Sequence, residues 1–230
     1  MNLHSITGRT AAWRAVVALC LLLLPATASA QSVKFNVGGG LATQYGDARV
    51  VGAYKIGVGY EYEFDQHWTI TPGIAFYGKG WKDADQQVRL TDDEGNAVYD
   101  EHGDPVYSIM SRSTSANYLE IPILFSYYYR LSESRYLVVS AGPYVACGLF
   151  GKVKTKGDTD RTGSEKYYYE NNTFGSGGMR RFDAGAQALV GYQFPSGLTL
   201  GLEADFGMVR TCSDGGRNFS ALISLSYKLD

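Results

Sequence analysis

Few residues after position 30 could carry acid–base or nucleophilic chemistry. The two histidines there are His67, in a predicted tight turn, and His102, in a predicted acidic loop. Neither has a serine partner at the spacing of a recognisable catalytic set. Cys147 and Cys212 fall in a predicted strand and a predicted loop that are not neighbours, so we expect two free thiols. Because no Cys/His cluster has metal-ligand spacing, the sequence predicts no catalytic residues, no metal site and no cofactor.

Two long polar segments could hold ions through their charge. In residues 82–115, carboxylates stand beside two glycines, and hard oxygen ligands of this kind suit calcium. The spacing does not match an EF-hand loop, so the favoured interpretation is a solvated acidic loop, with a hairpin above the membrane as one form it could take. In residues 152–179, basic residues and three tyrosines could contact acidic lipopolysaccharide or the acidic loop, or form a mobile polar loop. The acidic residues are Asp92, Asp93, Glu94, Asp100, Glu101 and Asp104; the basic and aromatic ones are Lys152, Lys154, Lys156, Arg161, Lys166, Tyr167, Tyr168 and Tyr169.

The other charged residues lie mostly in segments that alternate between apolar and polar residues. Every second residue is apolar from Phe182 to Phe194 and again from Leu198 to Met208, and a Pro-Ser-Gly turn joins the two runs. A period of two over this length indicates strands rather than helices, and the turn predicts a hairpin. Strands of roughly 9 to 11 residues are long enough to cross a bilayer at a tilt.

The same pattern predicts eight strands in one up-and-down barrel. Three tight turns alternate with four loops, two of them long, which places all turns at one end and all loops at the other. Outer-membrane barrels show this asymmetry, with short periplasmic turns and longer outer loops. Three prolines, Pro72, Pro122 and Pro143, fall inside strands, where we expect bulges to accommodate them. The predicted strands are residues 34–45, 54–64, 68–81, 116–131, 135–151, 181–194, 198–208 and 218–229.

Alternation alone does not decide which face of the barrel is inside. A soluble lipocalin-like barrel would surround a ligand with its apolar face, whereas a membrane barrel turns that face to lipid. Glycine and other small residues on the polar face favour the membrane barrel. An eight-stranded lumen is just wide enough for its own side chains, so we expect a closed lumen filled by ion pairs. The predicted network consists of Lys55, Glu61, Glu63, Lys79, Glu120, Arg130, Arg181, Asp183, Glu203, Asp205 and Lys228, together with Lys34.

Aromatic residues on the apolar face gather near both ends of the predicted strands. Such rings mark the boundaries between lipid and water in membrane barrels. A second ring near the loops is predicted from Tyr45, Tyr54, Phe76, Phe182, Phe206 and Phe219. The ring near the tight turns consists of Tyr62, Phe64, Trp68, Tyr127, Tyr129, Tyr192, Phe194 and Tyr227.

The first thirty residues have the pattern of a cleaved secretory signal peptide. Arg9 and Arg14 precede a short apolar run, and an A-x-A cleavage pattern ends at Ala30. Residues 31–230 are then the barrel domain, with 19 basic and 23 acidic residues, a net charge of minus four that argues against a nucleic-acid partner. The predicted location is the outer membrane, reached by secretion.

One motif resembles a known family. Residues 118–124 read YLEIPIL, similar to the Y-L-E-I-P-L-L signature of small outer-membrane β-barrel proteins of Bacteroidetes, the PorT-like or outer membrane protein beta-barrel domain group. The AGPY of residues 141–144 and the DAG of residues 183–185 resemble it too. The resemblance implies an eight-stranded outer-membrane barrel across nearly all of residues 31–230 and no particular activity. The chain departs from the pattern at its end, YKLD, where many such barrels have an aromatic residue.

Three functions are consistent with this sequence. The first is a non-enzymatic, monomeric barrel with a structural, adhesion or envelope-assembly role, whose outer loops meet a protein partner while its wall contacts membrane lipid and lipopolysaccharide. The second is an outer-membrane enzyme that modifies lipid, which would depend on His67 or His102. The third is a soluble periplasmic ligand-binding barrel. The first is the predicted function.

Overall fold

The computed structural model describes residues 31–46, 48–90, 92, 94, 96–158, 166–175, 178–212 and 215–229. The predicted signal peptide and Arg161 lie outside these ranges. The described residues form antiparallel β-sheet, and they include no helix that is long and apolar enough to cross a membrane. The strands are β1 (Gln31–Gln44), β2 (Val51–Glu63), β3 (Trp68–Lys82), β4 (Gln86–Arg89), β5 (Tyr107–Ser132), β6 (Arg135–Phe150), β7 (Lys152–Asp158), β8 (Lys166–Asn172), β9 (Phe182–Gln193), β10 (Leu198–Arg210) and β11 (Arg217–Leu229).

Eight of these strands close into a ring, as predicted. The order is β3-β2-β1-β11-β10-β9-β6-β5, and β5 pairs with β3 to complete the circle. The first and last strands of the chain are paired from Val33 with Leu229 to Gln44 with Asn218. Closure leaves the ring without an exposed strand edge.

The connections divide between the two ends of the ring as the sequence predicts. Tight turns at residues 64–67, 133–134 and 194–197 join strands at one end, here called the turn end. The last of them depends on Gly197, whose φ of 81° favours glycine and whose amide donates to the carbonyl of Phe194. The loops lie at the opposite end, here called the loop end.

The two segments predicted to be long polar loops contain paired strands that the predicted strand bounds leave out. β5 begins at Tyr107 instead of residue 116, and β4 pairs with its first residues. β7 pairs with the next part of β5, and β8 pairs with β7. The result is a four-stranded extension beyond the ring, here called the protruding sheet: β4, residues 107–114 of β5, β7 and β8. Pairing satisfies backbone groups that a long loop would leave to water.

The apolar face of the ring points outward. Leu202, Met208 and Ile223 are 68%, 64% and 63% exposed, whereas Glu203 and Ser224, one residue from Leu202 and Ile223, are 2% and 1% exposed. Because successive side chains of a strand point to opposite faces, this alternation assigns the apolar residues to the outside and the polar residues to the lumen. A lipocalin-like barrel would have the reverse arrangement.

The three strand prolines do not produce the bulges expected from the sequence. Pro72, Pro122 and Pro143 lie on the neighbouring strands β3, β5 and β6. Beside them, the ladders β2–β3, β3–β5 and β5–β6 each omit two residue pairs and then resume in the same register. Proline has no N–H to donate to a ladder, and the structure accommodates each one by local loss of pairing.

Candidate functional site

The centre of the lumen contains an ion cluster built around one lysine. Lys55, on β2, points inward, and its Nζ lies 2.6 Å from Glu120 Oε1, 2.8 Å from Glu203 Oε1 and 3.6 Å from Asp205 Oδ2. These carboxylates come from β5 and β10, so the contacts cross the lumen. Lys79 Nζ lies 4.0 Å from Glu120 Oε2 and links a second lysine to the cluster. All five side chains are buried.

Lys79 extends this cluster toward the loop end. Its Nζ lies 3.0 Å from Asp183 Oδ2, which also accepts a hydrogen bond of 2.9 Å from the amide of Asn218. Three aromatic rings surround the ammonium group, with centroids 4.8–5.1 Å away, a geometry that favours a cation. Those rings belong to Tyr77, Tyr118 and Tyr144.

A second ion cluster lies at the turn end of the lumen. Glu61 accepts hydrogen bonds of 2.6 Å from the Tyr128 hydroxyl and 3.2 Å from Lys34 Nζ. Lys228 Nζ lies 3.3 Å from Glu61 Oε1 and also pairs with Glu63. Glu61 is fully buried, whereas Glu63 and Lys228 are partly open to the mouth of the barrel.

Two arginines predicted to join the network lie outside it, and this part of the prediction is wrong. Arg130 is exposed at the turn end and donates to the carbonyl oxygens of Ser132 and Glu133. Arg181 is exposed at the loop end, and its guanidinium donates to two carbonyl oxygens at the end of β6. Both residues lie near the ends of strands, where a long side chain can place its charge in water.

A cavity of about 70 Å³ separates the two clusters. Lys34 of the turn-end cluster and Lys55 of the central cluster line it, together with Asn36, Gln187 and Glu203. One oxygen each of Asn36, Gln187 and Glu203 is buried without a hydrogen-bond partner among the described residues. A space of this size can hold a few water molecules beside these polar atoms, which would satisfy the three oxygens.

A loop residue that no sequence pattern identified closes the lumen at the loop end. Phe174 is 8% exposed and packs edge-on against Tyr118, with centroids 5.5 Å apart. A Cβ atom on Gly148 would lie 2.3 Å from the Phe174 ring, so the glycine makes room for it. The Arg181 guanidinium lies 5.3 Å above the same ring. In the sequence, the one indication of this role is that Phe174 is an isolated phenylalanine between polar residues of a long loop.

The acidic loop uses its carboxylates to stabilise its own turns. Asp92 Oδ1 accepts from the backbone amides of Glu94 and Asn96, at 3.0 and 2.8 Å. Asp100 Oδ1 accepts from the amides of His102 and Asp104 in the same way, both at 2.9 Å. The described residues contain no group of three or more His, Cys, Asp or Glu side chains placed to hold a metal ion. Asp93 lies outside the described residues.

Both histidines and both cysteines lie away from the lumen clusters. His67 lies in the turn between β2 and β3 and stacks on Tyr127, with centroids 5.9 Å apart. His102 is exposed in the acidic loop at the opposite end of the barrel. Cys147 and Cys212 are both exposed and unpaired, as predicted.

The aromatic residues predicted near the turns lie at one height on the outside of the ring. Trp68 is paired with Tyr127 across β3 and β5, and their centroids are 4.9 Å apart. Tyr192 and Phe194 pack edge to face at 4.9 Å. The same aromatic ring includes Phe64, Tyr129 and Tyr227, which are exposed on the outer face, and Tyr62, which is half-buried. At the loop end, Phe219 contacts Tyr45 at 5.8 Å and Phe206 at 5.5 Å.

Comparison with solved structures found chains that are similar to this one. They include the attachment invasion locus protein Ail of Yersinia pestis, with 10% identity over 86% of this chain and 97% of that chain and a TM-score of 0.40. The outer membrane enzyme PagL has 13% identity over 86% of this chain and 99% of that chain, with a TM-score of 0.42. Neisserial surface protein A has 8% identity over 87% of this chain and 97% of that chain, with a TM-score of 0.34.

A comparison with curated proteins found no match. The sequence does match a protein family, described as outer membrane protein beta-barrel domain, over residues 27–210. This match covers well over half of the chain and agrees with the closed ring, the outward apolar face and the aromatic rings. The chain is therefore an outer-membrane β-barrel protein that belongs to the outer membrane protein beta-barrel domain family.

Proposed function

We propose that this protein is a non-enzymatic, monomeric outer-membrane barrel that binds a protein partner through the protruding sheet. The loop end faces the outside of the cell, and the wall contacts membrane lipid and lipopolysaccharide. The ion clusters and Phe174 fill the lumen, so the barrel serves as a rigid support and not as a pore. A structural, adhesion or envelope-assembly role follows from this arrangement.

The observation that carries the proposal is an exposed apolar patch on the protruding sheet. Tyr107 and Ile109 share one face of β5 and are 57% and 58% exposed. Arg89 is paired with Tyr107, and its guanidinium lies 2.8 Å from the hydroxyl of Tyr99, which is 50% exposed. Exposed patches of this kind mark interaction sites, and tyrosine and arginine are enriched among residues that dominate binding energy. Strands position the patch more rigidly than a loop would.

Two further features of the chain are inferred from its sequence. We infer a PorT-like relationship from the YLEIPIL motif of β5, and cleavage of residues 1–30 on secretion. No cofactor is required for binding through the protruding sheet. In the acidic loop, Asp92 and Asp100 accept hydrogen bonds from backbone amides, which gives both carboxylates a structural role in its turns.

Site-specific photocrosslinking on intact cells tests the proposed surface. A benzophenone amino acid would replace Tyr107 or Ile109 in the full chain. The matched control position is Val88, which is 40% exposed on the same sheet but is paired with Ser108 and therefore faces the other way. We expect a discrete protein adduct from positions 107 and 109 and none from 88. No adduct from either position, or equal adducts from all three, would contradict the proposal.

Lipid analysis of the same cells tests the non-enzymatic part. Mass spectrometry would compare lipid A and phospholipids with and without expression of the chain. We expect identical profiles. A new lipid species that disappears with His102→Ala or His67→Ala would replace the proposal with the lipid-modifying enzyme.

A further inference from the structure

Two arginines face each other where β10 and β11 leave the apolar band. Arg210 is paired directly with Arg217, and both side chains are exposed. Phe206 is paired with Phe219 on the same two strands, nearer the middle of the barrel. The register shifts by two residues between these pairs, an even number, so the outward face is kept. The two guanidinium groups therefore lie outside the barrel, just beyond the aromatic ring of the loop end.

This pairing needs a counter-charge. Like charges directly opposite each other in a β-ladder are destabilising, since their Cβ atoms are only about 4.5–5.5 Å apart. Among the described residues, the arginines in ion pairs are Arg49 and Arg112, and neither Arg210 nor Arg217 has an acidic partner. The connecting loop contributes one acidic residue, Asp214, outside the described residues. Two guanidinium groups and one carboxylate leave a net charge of plus one at this pair.

Several other basic residues at the loop end have acidic partners. Arg49 and Lys82 are paired with each other across strands, and Asp85 lies 2.8 Å from the first and 3.5 Å from the second. Lys152 lies 2.6 Å from Glu170. Among the described residues no carboxylate bridges Arg210 and Arg217 in this way, so the pair presents positive charge to an anion outside the chain.

Resting on the proposed orientation of the loop end toward the outside of the cell, we propose that Arg210 and Arg217 bind a phosphate group of a lipid in the outer leaflet. Guanidinium groups bind phosphate through two parallel hydrogen bonds, and two adjacent arginines can hold one phosphate from both sides. The height of the pair selects a lipid over a soluble anion or a protein. Phe206 and Phe219, whose centroids are 5.5 Å apart, mark the boundary of the hydrocarbon. The arginines point sideways into the headgroup layer directly above that boundary, whereas the patch around Tyr107 lies on the protruding sheet.

Lipid retention by the refolded full chain tests the site. The probes are diphosphorylated lipid A, the same lipid after removal of its phosphates, and inorganic phosphate, with bound lipid counted by native mass spectrometry. The double variant Arg210→Gln with Arg217→Gln should bind phosphorylated lipid A about tenfold or more weakly, because it loses charge-assisted hydrogen bonds. The matched control, Arg49→Gln with Lys82→Gln, removes two outward basic residues and should bind as the natural chain does.

The outcomes separate a lipid phosphate site from the alternatives. Loss of binding in the double variant alone, with weak binding of the dephosphorylated lipid, supports the proposal. Equal binding by both double variants, or equal retention of phosphorylated and dephosphorylated lipid, overturns it. Displacement by an equal concentration of inorganic phosphate would instead show a general anion site and would also overturn it. If the double variant does not fold, as judged by gel mobility before boiling, the two lipids still decide the question on the natural chain.

Discussion

Replacing Lys55 by methionine tests whether ion pairing in the lumen stabilises the barrel. Lys55 Nζ lies 2.6 Å from Glu120, 2.8 Å from Glu203 and 3.6 Å from Asp205. Methionine is unbranched and adapts to irregular cavities, so Lys55→Met removes the charge and keeps much of the packing. Three buried carboxylates then lose their nearest cation.

The size of the effect follows from the charges of the cluster. Removing one partner of a buried ion pair costs about 3–5 kcal/mol, because the other charge remains buried without compensation. Lys55 serves three carboxylates, so we expect the upper end of that range, about 5 kcal/mol of the free energy of unfolding. Glu203→Gln should cost only about 1 kcal/mol, roughly one hydrogen bond, because the cluster has more carboxylates than ammonium groups. Its carboxylates are Glu120, Asp183, Glu203 and Asp205, and its ammonium groups are Lys55 and Lys79.

Urea unfolding of the refolded barrel in phospholipid vesicles measures both variants. Tryptophan fluorescence and gel mobility before and after boiling would report the folded fraction. Lys154→Met is the matched control, since Lys154 pairs with Glu170 at 3.8 Å with half of its side chain exposed. Exposed pairs contribute about 0–1 kcal/mol. Equal losses for Lys55→Met and Glu203→Gln, or a Lys55→Met loss no larger than the control, would refute this account of the lumen.

Three further predictions concern the wall and the loop end. A methyl group on Gly142 would lie 1.9 Å from a backbone oxygen of β5, so Gly142→Ala should lower the free energy of unfolding by about 1–3 kcal/mol in urea. On intact cells, a membrane-impermeant maleimide should label Cys212, in a loop, and not Cys147, on the apolar outer face of β6. The pKa of Asp85 lies below its ordinary 3.8, because Arg49 donates a hydrogen bond to the carboxylate. The contact with Arg49 therefore stabilises the loop at pH values above the ordinary pKa, and this stabilisation is lost as the pH falls through the lowered pKa. NMR titration should place the Asp85 midpoint below 3.8.

Each of these predictions has a control within the chain. Gly39→Ala should be tolerated, since a Cβ atom there meets nothing within 4 Å, and equal losses at positions 39 and 142 would contradict the steric argument. Labelling of Cys147 without Cys212 would contradict the proposed orientation of the loop end. Arg49→Gln should raise the Asp85 midpoint toward its ordinary value while Lys82, 3.5 Å away, still lowers it, and an unchanged midpoint would contradict the role given to Arg49.

The eight strands of the ring could be predicted because their signal is local. In β9 and β10 the alternation of apolar and polar residues repeats every two positions, which is the period at which side chains change face. The same alternation predicted the lumen side for Lys55, Glu120 and Glu203. The tight turns were also visible in sequence, because Pro-Ser-Gly offers the conformation that the turn before β10 requires.

The protruding sheet and the closure of the loop end were missed for the opposite reason. Residues 107–115 are mostly small and polar, and they become strand only because β4 and β7 supply partners. Phe174 stands among polar residues, and it is buried only because Gly148, 26 positions earlier in the chain, leaves space for its ring. Neither feature has a period that a sequence window can detect.

The sequence by itself determined the strands, their two faces and the chemical character of the lumen, because each depends on the two-residue period of a single strand. Only the tertiary structure decided which charges meet. Lys55 and Glu203 are 148 positions apart and join across the lumen at 2.8 Å, while Arg130 and Arg181, at the two ends of the barrel, donate to backbone carbonyls. Such contacts depend on the tilt and stagger with which eight strands close into a ring. That stagger is a property of the whole barrel and is not present in any one strand.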